Sequence, residues 1–84
     1  MSTKEKLLRR FQNCPKDFTV EELDTMMGYL GYRREEKGKT SGSRIAFVSD
    51  ASPPILLHRP HPGNTLKRYQ IRQVLELLEK EGLL

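Results

Sequence analysis

The chain is short, holds a single cysteine, and has no apolar run near the length of a membrane span. Each shortage excludes something. Cys14 has no partner for an internal disulfide, so a reducing compartment and a cytoplasmic location are expected. A membrane helix needs roughly 20 consecutive apolar residues, so no membrane association is expected. The opening Met-Ser-Thr-Lys-Glu-Lys runs directly into a mixed-charge amphipathic segment and does not read as a signal peptide. Eighty-four residues make one domain, 1–84, with no room for a cofactor-binding half beside a substrate half. A chain of that size buries only about 60% of its unfolded surface, so its core is thin. Dehydrogenases, kinases and barrel enzymes are excluded by length, and no cofactor is expected. There is no P-loop: Gly38-Lys39-Thr40 lacks the upstream glycine and the strand–helix setting. His58-x-x-His61 with Cys14 makes at most three ligands at no usual zinc spacing, so no metal is expected. Cys14 has no base partner and is expected to be buried rather than nucleophilic.

What the chain does have is positive charge in one place. The formal charge is a modest +4, and residues 1–36 balance seven cations against seven acids. Residues 37–75 then carry Lys37, Lys39, Arg44, Arg59, Lys67, Arg68 and Arg72 against Asp50 alone, a local +6 that also encloses His58 and His61. From Glu76 onward the balance returns to −2. Such a block points to a polyanion, because neutralising phosphates drives that class of binding.

Along the chain, Ser2-Thr-Lys-Glu5 has the form of a capping box and opens a helix with Leu7, Leu8 and Phe11 at helical spacing, stopped by Pro15. Thr19-Val-Glu-Glu22 repeats the box. It opens a second helix whose apolar stripe is Leu23, Met26, Met27 and Leu30, with Gly31 as its stop. A strand is expected within residues 32–37 and a turn-forming loop over 38–42. Residues 43–48 alternate in strand fashion, and residues 55–58 return after a hairpin loop. Pairing Phe47 with Ile55 and Ile45 with Leu57 gives one wholly apolar face. Arg44 then lies across from His58 on the other face, since a slip of one residue would mix the two. Asn64 is expected to cap a last helix from Thr65 to about Glu81, ended by Gly82, with Ile71, Val74, Leu75 and Leu78 buried. The fold class is α+β, with a three-stranded antiparallel sheet and helices on one face.

That last helix is charged against its own dipole. A helix N-terminus prefers acids, yet Lys67 and Arg68 stand there and Arg72 follows one turn on. Arg68 and Arg72 are like charges four apart, a cost of a few tenths of a kcal/mol. Arg72, Glu76 and Lys80 alternate in sign and give partial relief. An incoming phosphate, held by free amides, dipole and cations together, gives the arrangement a reason. Tyr69 is a candidate to stack on a base, though a tyrosine this near the core stripe is more often structural.

The order helix, strand, strand, strand, helix, with Gly42-Ser43 before the second strand and Leu66-Lys67-x-x-x-Ile71-Arg72-x-Val74-Leu75 on the last helix, resembles the HicA toxins. The similarity covers the core, about residues 19–84, and leaves residues 1–16 as a helical extension. His61-Pro-Gly-Asn-Thr-Leu66 also resembles, in spacing, the family's turn into its last helix. The resemblance implies a fold like the double-stranded-RNA-binding domain and a small endoribonuclease acting on mRNA. It also implies a HicB-like antitoxin that covers the active site. The family's catalytic histidine usually follows Gly-Ser, and here Arg44 stands in that place. An arginine stays protonated at neutral pH and cannot be a general base.

Metal-independent RNA cleavage needs a base at the ribose 2′-OH, positive charge at the phosphate and an acid for the leaving oxygen. Histidine suits both proton transfers. His58, facing Arg44 in the expected register, is the first candidate and His61 the second. Lys39, Arg44, Lys67, Arg68 and Arg72 are the candidate RNA-binding cations. The alternative is an RNA-binding module that has lost the chemistry with the family's histidine. A third class, a DNA-binding or protein-interaction domain, is separable by preference for duplex DNA at matched salt, since 2′-OH contacts distinguish the nucleic acids.

Overall fold

The computed structural model describes residues 3–35, 44–60 and 63–84. Among these the elements run α1 (Thr3–Gln12), α2 (Val20–Tyr29), β1 (Arg33–Glu35), β2 (Arg44–Val48), β3 (Ile55–His58) and α3 (Arg68–Lys80), an α+β arrangement. The strands form one antiparallel sheet in the order β1-β2-β3. Ser2 and the loop expected over 38–42 lie outside the described residues.

Both ends of α2 follow from local chemistry. Glu22 N–H donates to Thr19 Oγ1 at 3.2 Å, and Thr19 N–H donates back to Glu22 Oε1 at 3.1 Å, so the expected capping box is formed. At the other end Gly31 takes φ +91°, a region that costs other residues a clash at Cβ. Tyr32 N–H reaches Met27 O at 2.9 Å and Gly31 N–H reaches Gly28 O at 3.2 Å, a Schellman ending. Leu23, Met26 and Met27 are buried, and Leu30, at the cap, is half-buried.

The expected strand register is formed: Arg44 pairs with His58, Ile45 with Leu57, Ala46 with Leu56 and Phe47 with Ile55. Ile45, Phe47, Ile55 and Leu57 are buried and share one core with the apolar stripes of α2 and α3. The helices therefore cover one face of the sheet. Arg44, Leu56 and His58 are exposed on the other.

α1 joins the same core through Phe11, which is fully buried, while Leu7 and Leu8 pack half-buried against it. The Phe11 ring meets Phe18 at 5.0 Å between centroids, tilted by 56°. Arg10 lies over Phe18 at 5.1 Å, donates to Asp17 Oδ1 at 2.8 Å and pairs with Glu22. One guanidinium thus clamps the connection between α1 and α2. Cys14 lies in that connection with φ +50° and is half-buried, not buried as expected. It precedes Pro15, which disfavours the right-handed helical region for the residue before it.

The start of α3 differs from expectation. Asn64 does not cap it: residues 63 and 64 form a bend and Thr65 an isolated bridge residue before the helix. Val20 N–H donates to Asn64 O at 2.9 Å and Leu66 N–H to Phe18 O at 2.8 Å, forming a bridge between Thr19 and Thr65. The Asn64 side chain is spent on Glu21 Oε2 at 3.1 Å. Tertiary pairing and the burial of Leu66 outweigh a local cap, so the helix starts three residues later at Arg68, with Lys67 as its N-cap. Of the expected stripe, Ile71, Val74 and Leu78 are buried and Leu75 is half-buried.

Candidate nucleic-acid interface

Arg44 and His58 stand directly opposite one another across β2 and β3, both exposed on the face that the helices leave open. Opposed residues of an antiparallel pair have Cβ atoms about 4.5–5.5 Å apart, so a guanidinium and an imidazole can address the same group. A depression of about 260 Å³ lies against Arg44, Leu56, Leu57 and His58. The register that puts the two side chains together follows from the alternation of apolar residues along both strands.

The later start of α3 concentrates its charge. Lys67 is now the N-cap and Arg68 the first helical residue, with no acid in the first turn and all three of Lys67, Arg68 and Arg72 exposed. Gln70 N–H and Ile71 N–H both turn back to Lys67 O. The amides of Arg68 and Tyr69 are therefore the ones with no carbonyl of the helix to reach, and the dipole favours an anion beside them.

Gln70 joins these two groups of residues. It is 3% exposed, accepts from Lys67 N–H at 3.0 Å and donates through Nε2 to the backbone carbonyl of His58 at 2.7 Å. One side chain therefore holds the cationic end of α3 against the end of β3 that carries His58. The sequence did not single it out, because a capping box is recognised by Ser or Thr at the N-cap and here the position is lysine. Replacing Gln70 by methionine keeps most of the volume but removes both bonds. We expect a loss of about 1–3 kcal/mol, read as a lower urea midpoint with an unchanged slope.

Tyr69 is 55% exposed, outside the core stripe rather than part of it. Two residues before the buried Ile71, it lies about 200° round the helix from it, beside Lys67 and Arg68, where its ring can stack on a base. Arg59, from the same basic stretch, is half-buried. Lys39 and His61, the remaining candidate residues, lie outside the described residues. Among the described residues no three His, Cys, Asp or Glu side chains converge, and no helix is long and apolar enough to cross a membrane.

In comparisons with known proteins, a family model described as HicA toxin of bacterial toxin-antitoxin matches residues 20–80. The match begins at the first residue of α2, so α1 lies before it. No curated protein and no solved structure matches the chain.

Proposed function

The chain belongs to the HicA toxin family, whose model spans most of its length, and on that premise we propose that this toxin acts in the cytoplasm as a metal-independent endoribonuclease on mRNA. The observation that carries the reading is the exposed pair Arg44 and His58, facing each other on the open side of the sheet. His58 takes the proton of the ribose 2′-OH. The 2′ oxygen then forms a bond to phosphorus as the bond to the 5′ oxygen breaks, and the leaving oxygen takes up a proton. The products are a 2′,3′-cyclic phosphate and a 5′-hydroxyl end. Arg44 holds the phosphate oxygens and offsets the charge that develops on them. His61 is the second proton carrier in the sequence. Lys67, Arg68 and Arg72 bind the neighbouring phosphates, with Lys39 a further candidate cation, and Tyr69 stacks on a base. A HicB-like antitoxin neutralises the toxin by covering this face.

The test is a gel assay of antitoxin-free protein with labelled single-stranded RNA in EDTA. Cleavage to products ending in cyclic phosphate is expected. Salt-sensitive binding without cleavage would leave only a binding module, the reading that Arg44 favours by standing where the family's histidine is expected. The phosphate contacts have their own signature. Arg68→Ala and Arg72→Ala should each weaken RNA binding without regard to sequence. Each should also flatten the slope of log K against log salt by about 0.7, the single-strand value per phosphate.

A further inference from the structure

β3 is an edge strand: its neighbour in the sheet is β2, and no described strand pairs with its other side. Alternate backbone N–H and C=O groups of an edge strand point away from the sheet and accept a new strand. In β3 the carbonyl of His58, at the end of the strand, is already taken by Gln70 Nε2, so pairing with a new strand falls on residues 55–57. Beside this edge lies a groove of about 350 Å³, walled by Ile55, Leu56 and Leu57 on one side and by Gln73, Val74 and Leu77 of α3 on the other. Leu56 is 63% exposed and Leu77 41% exposed, so large apolar side chains border the groove uncovered. A strand edge running along a helix, with apolar side chains between them, is the geometry that takes up an extended peptide as an added strand.

We propose that an extended segment of the antitoxin docks here as a fourth strand on β3, with an apolar side chain against Leu56 and Leu77 and an acidic one reaching Arg44 and His58. Charge decides the class of occupant. The charged residue lining the groove is Glu76, which repels a phosphate backbone. The groove shares Leu56 and Leu57 with the depression at Arg44 and His58, where the charge is positive. An apolar strand that ends in an acid complements both parts, and nucleic acid complements only the second. The proposal rests on the reading of Arg44 and His58 as the face the antitoxin must cover. It adds the means of attachment, main-chain pairing along β3.

Amide hydrogen exchange on the toxin, free and in complex with its cognate antitoxin, tests it. In the complex the outward-facing amides of β3 should slow by about 100-fold, while the amides already bonded to β2 change little. Leu77→Gln, an exposed helix substitution outside the RNA-binding residues, should weaken antitoxin binding by about 10-fold. It should leave RNA cleavage as it was. Unchanged β3 exchange in the complex would overturn the proposal, as would full antitoxin affinity in Leu77→Gln. Loss of RNA cleavage in that folded variant would assign the groove to RNA. Sedimentation of the free chain as a dimer that Leu77→Gln disrupts would assign it to a second copy. The two readings fail separately: a wild type that cleaves no RNA refutes the nuclease, while the exchange and affinity results still decide the docking.

Discussion

Replacing Phe11 by alanine is expected to destabilise the fold by about 3–5 kcal/mol, although the residue lies before the family match. Phe11 is fully buried, so the variant loses the transfer free energy of a whole ring and leaves a cavity that the fixed helices fill only in part. It also loses the tilted ring contact with Phe18, worth about 0.5–1.5 kcal/mol beyond area in comparable pairs. The stability of an 84-residue domain is about 4–13 kcal/mol, so one side chain controls a large share of it. The urea midpoint, compared with that of Leu8→Ala at a half-buried position of the same helix, measures the effect. A change below about 0.5 kcal/mol, the range of ordinary surface substitutions, would mean that α1 is an appendage and not part of the core.

The parts of this fold that were legible in the sequence are those settled by short-range chemistry or by a strict period. The Thr19 to Glu22 box forms because both partners lie on one turn, and Gly31 ends α2 because its neighbours cannot take positive φ cheaply. The register of β2 on β3 was legible because Ile45, Phe47, Ile55 and Leu57 share a face only in registers of one parity. Placing Arg44 across from His58 followed directly. What escaped depends on contacts distant in sequence. Asn64 satisfies every local criterion for an N-cap, yet the bridge from Thr19 to Thr65 takes its backbone and Glu21 takes its side chain. Phe18, fully buried, sits in a connection between Asp17 and Thr19 where no periodicity marks it.

The candidate site divides in the same way. The opposed pair came from the strand pattern, and the misplaced charge of α3 from the helix dipole. Their joining did not, because it passes through the single buried side chain of Gln70. A glutamine between Tyr69 and Ile71 reads as an ordinary surface residue until the helix start is known. At about 100° per residue, Tyr69 lies about 200° round the helix from the buried Ile71 and so points outward, while Gln70 sits on the flank of the stripe and is buried by its bonds to Lys67 and His58.

His58→Ala is expected to lower RNA cleavage by about 10²- to 10⁴-fold, the usual worth of a positioned proton-transfer group. That range corresponds to about 3–5.5 kcal/mol of transition-state stabilisation. The side chain is exposed and its backbone carbonyl keeps the bond from Gln70, so folding and RNA affinity should change little. Single-turnover cleavage and filter binding on the same samples separate the two quantities. Arg44→Ala should weaken both, because a guanidinium that holds phosphate contributes to binding as well as to the charge formed in reaction. The double exchange Arg44→His with His58→Arg provides the sharper measurement. It preserves charge, composition and the facing positions on β2 and β3, and moves only the imidazole from one strand to the other. Cleavage recovered above the His58→Ala level would mean that the opposed pair, not the strand it is built on, carries the chemistry. Full cleavage retained by His58→Ala itself would remove His58 from the mechanism and leave His61 as the histidine to test.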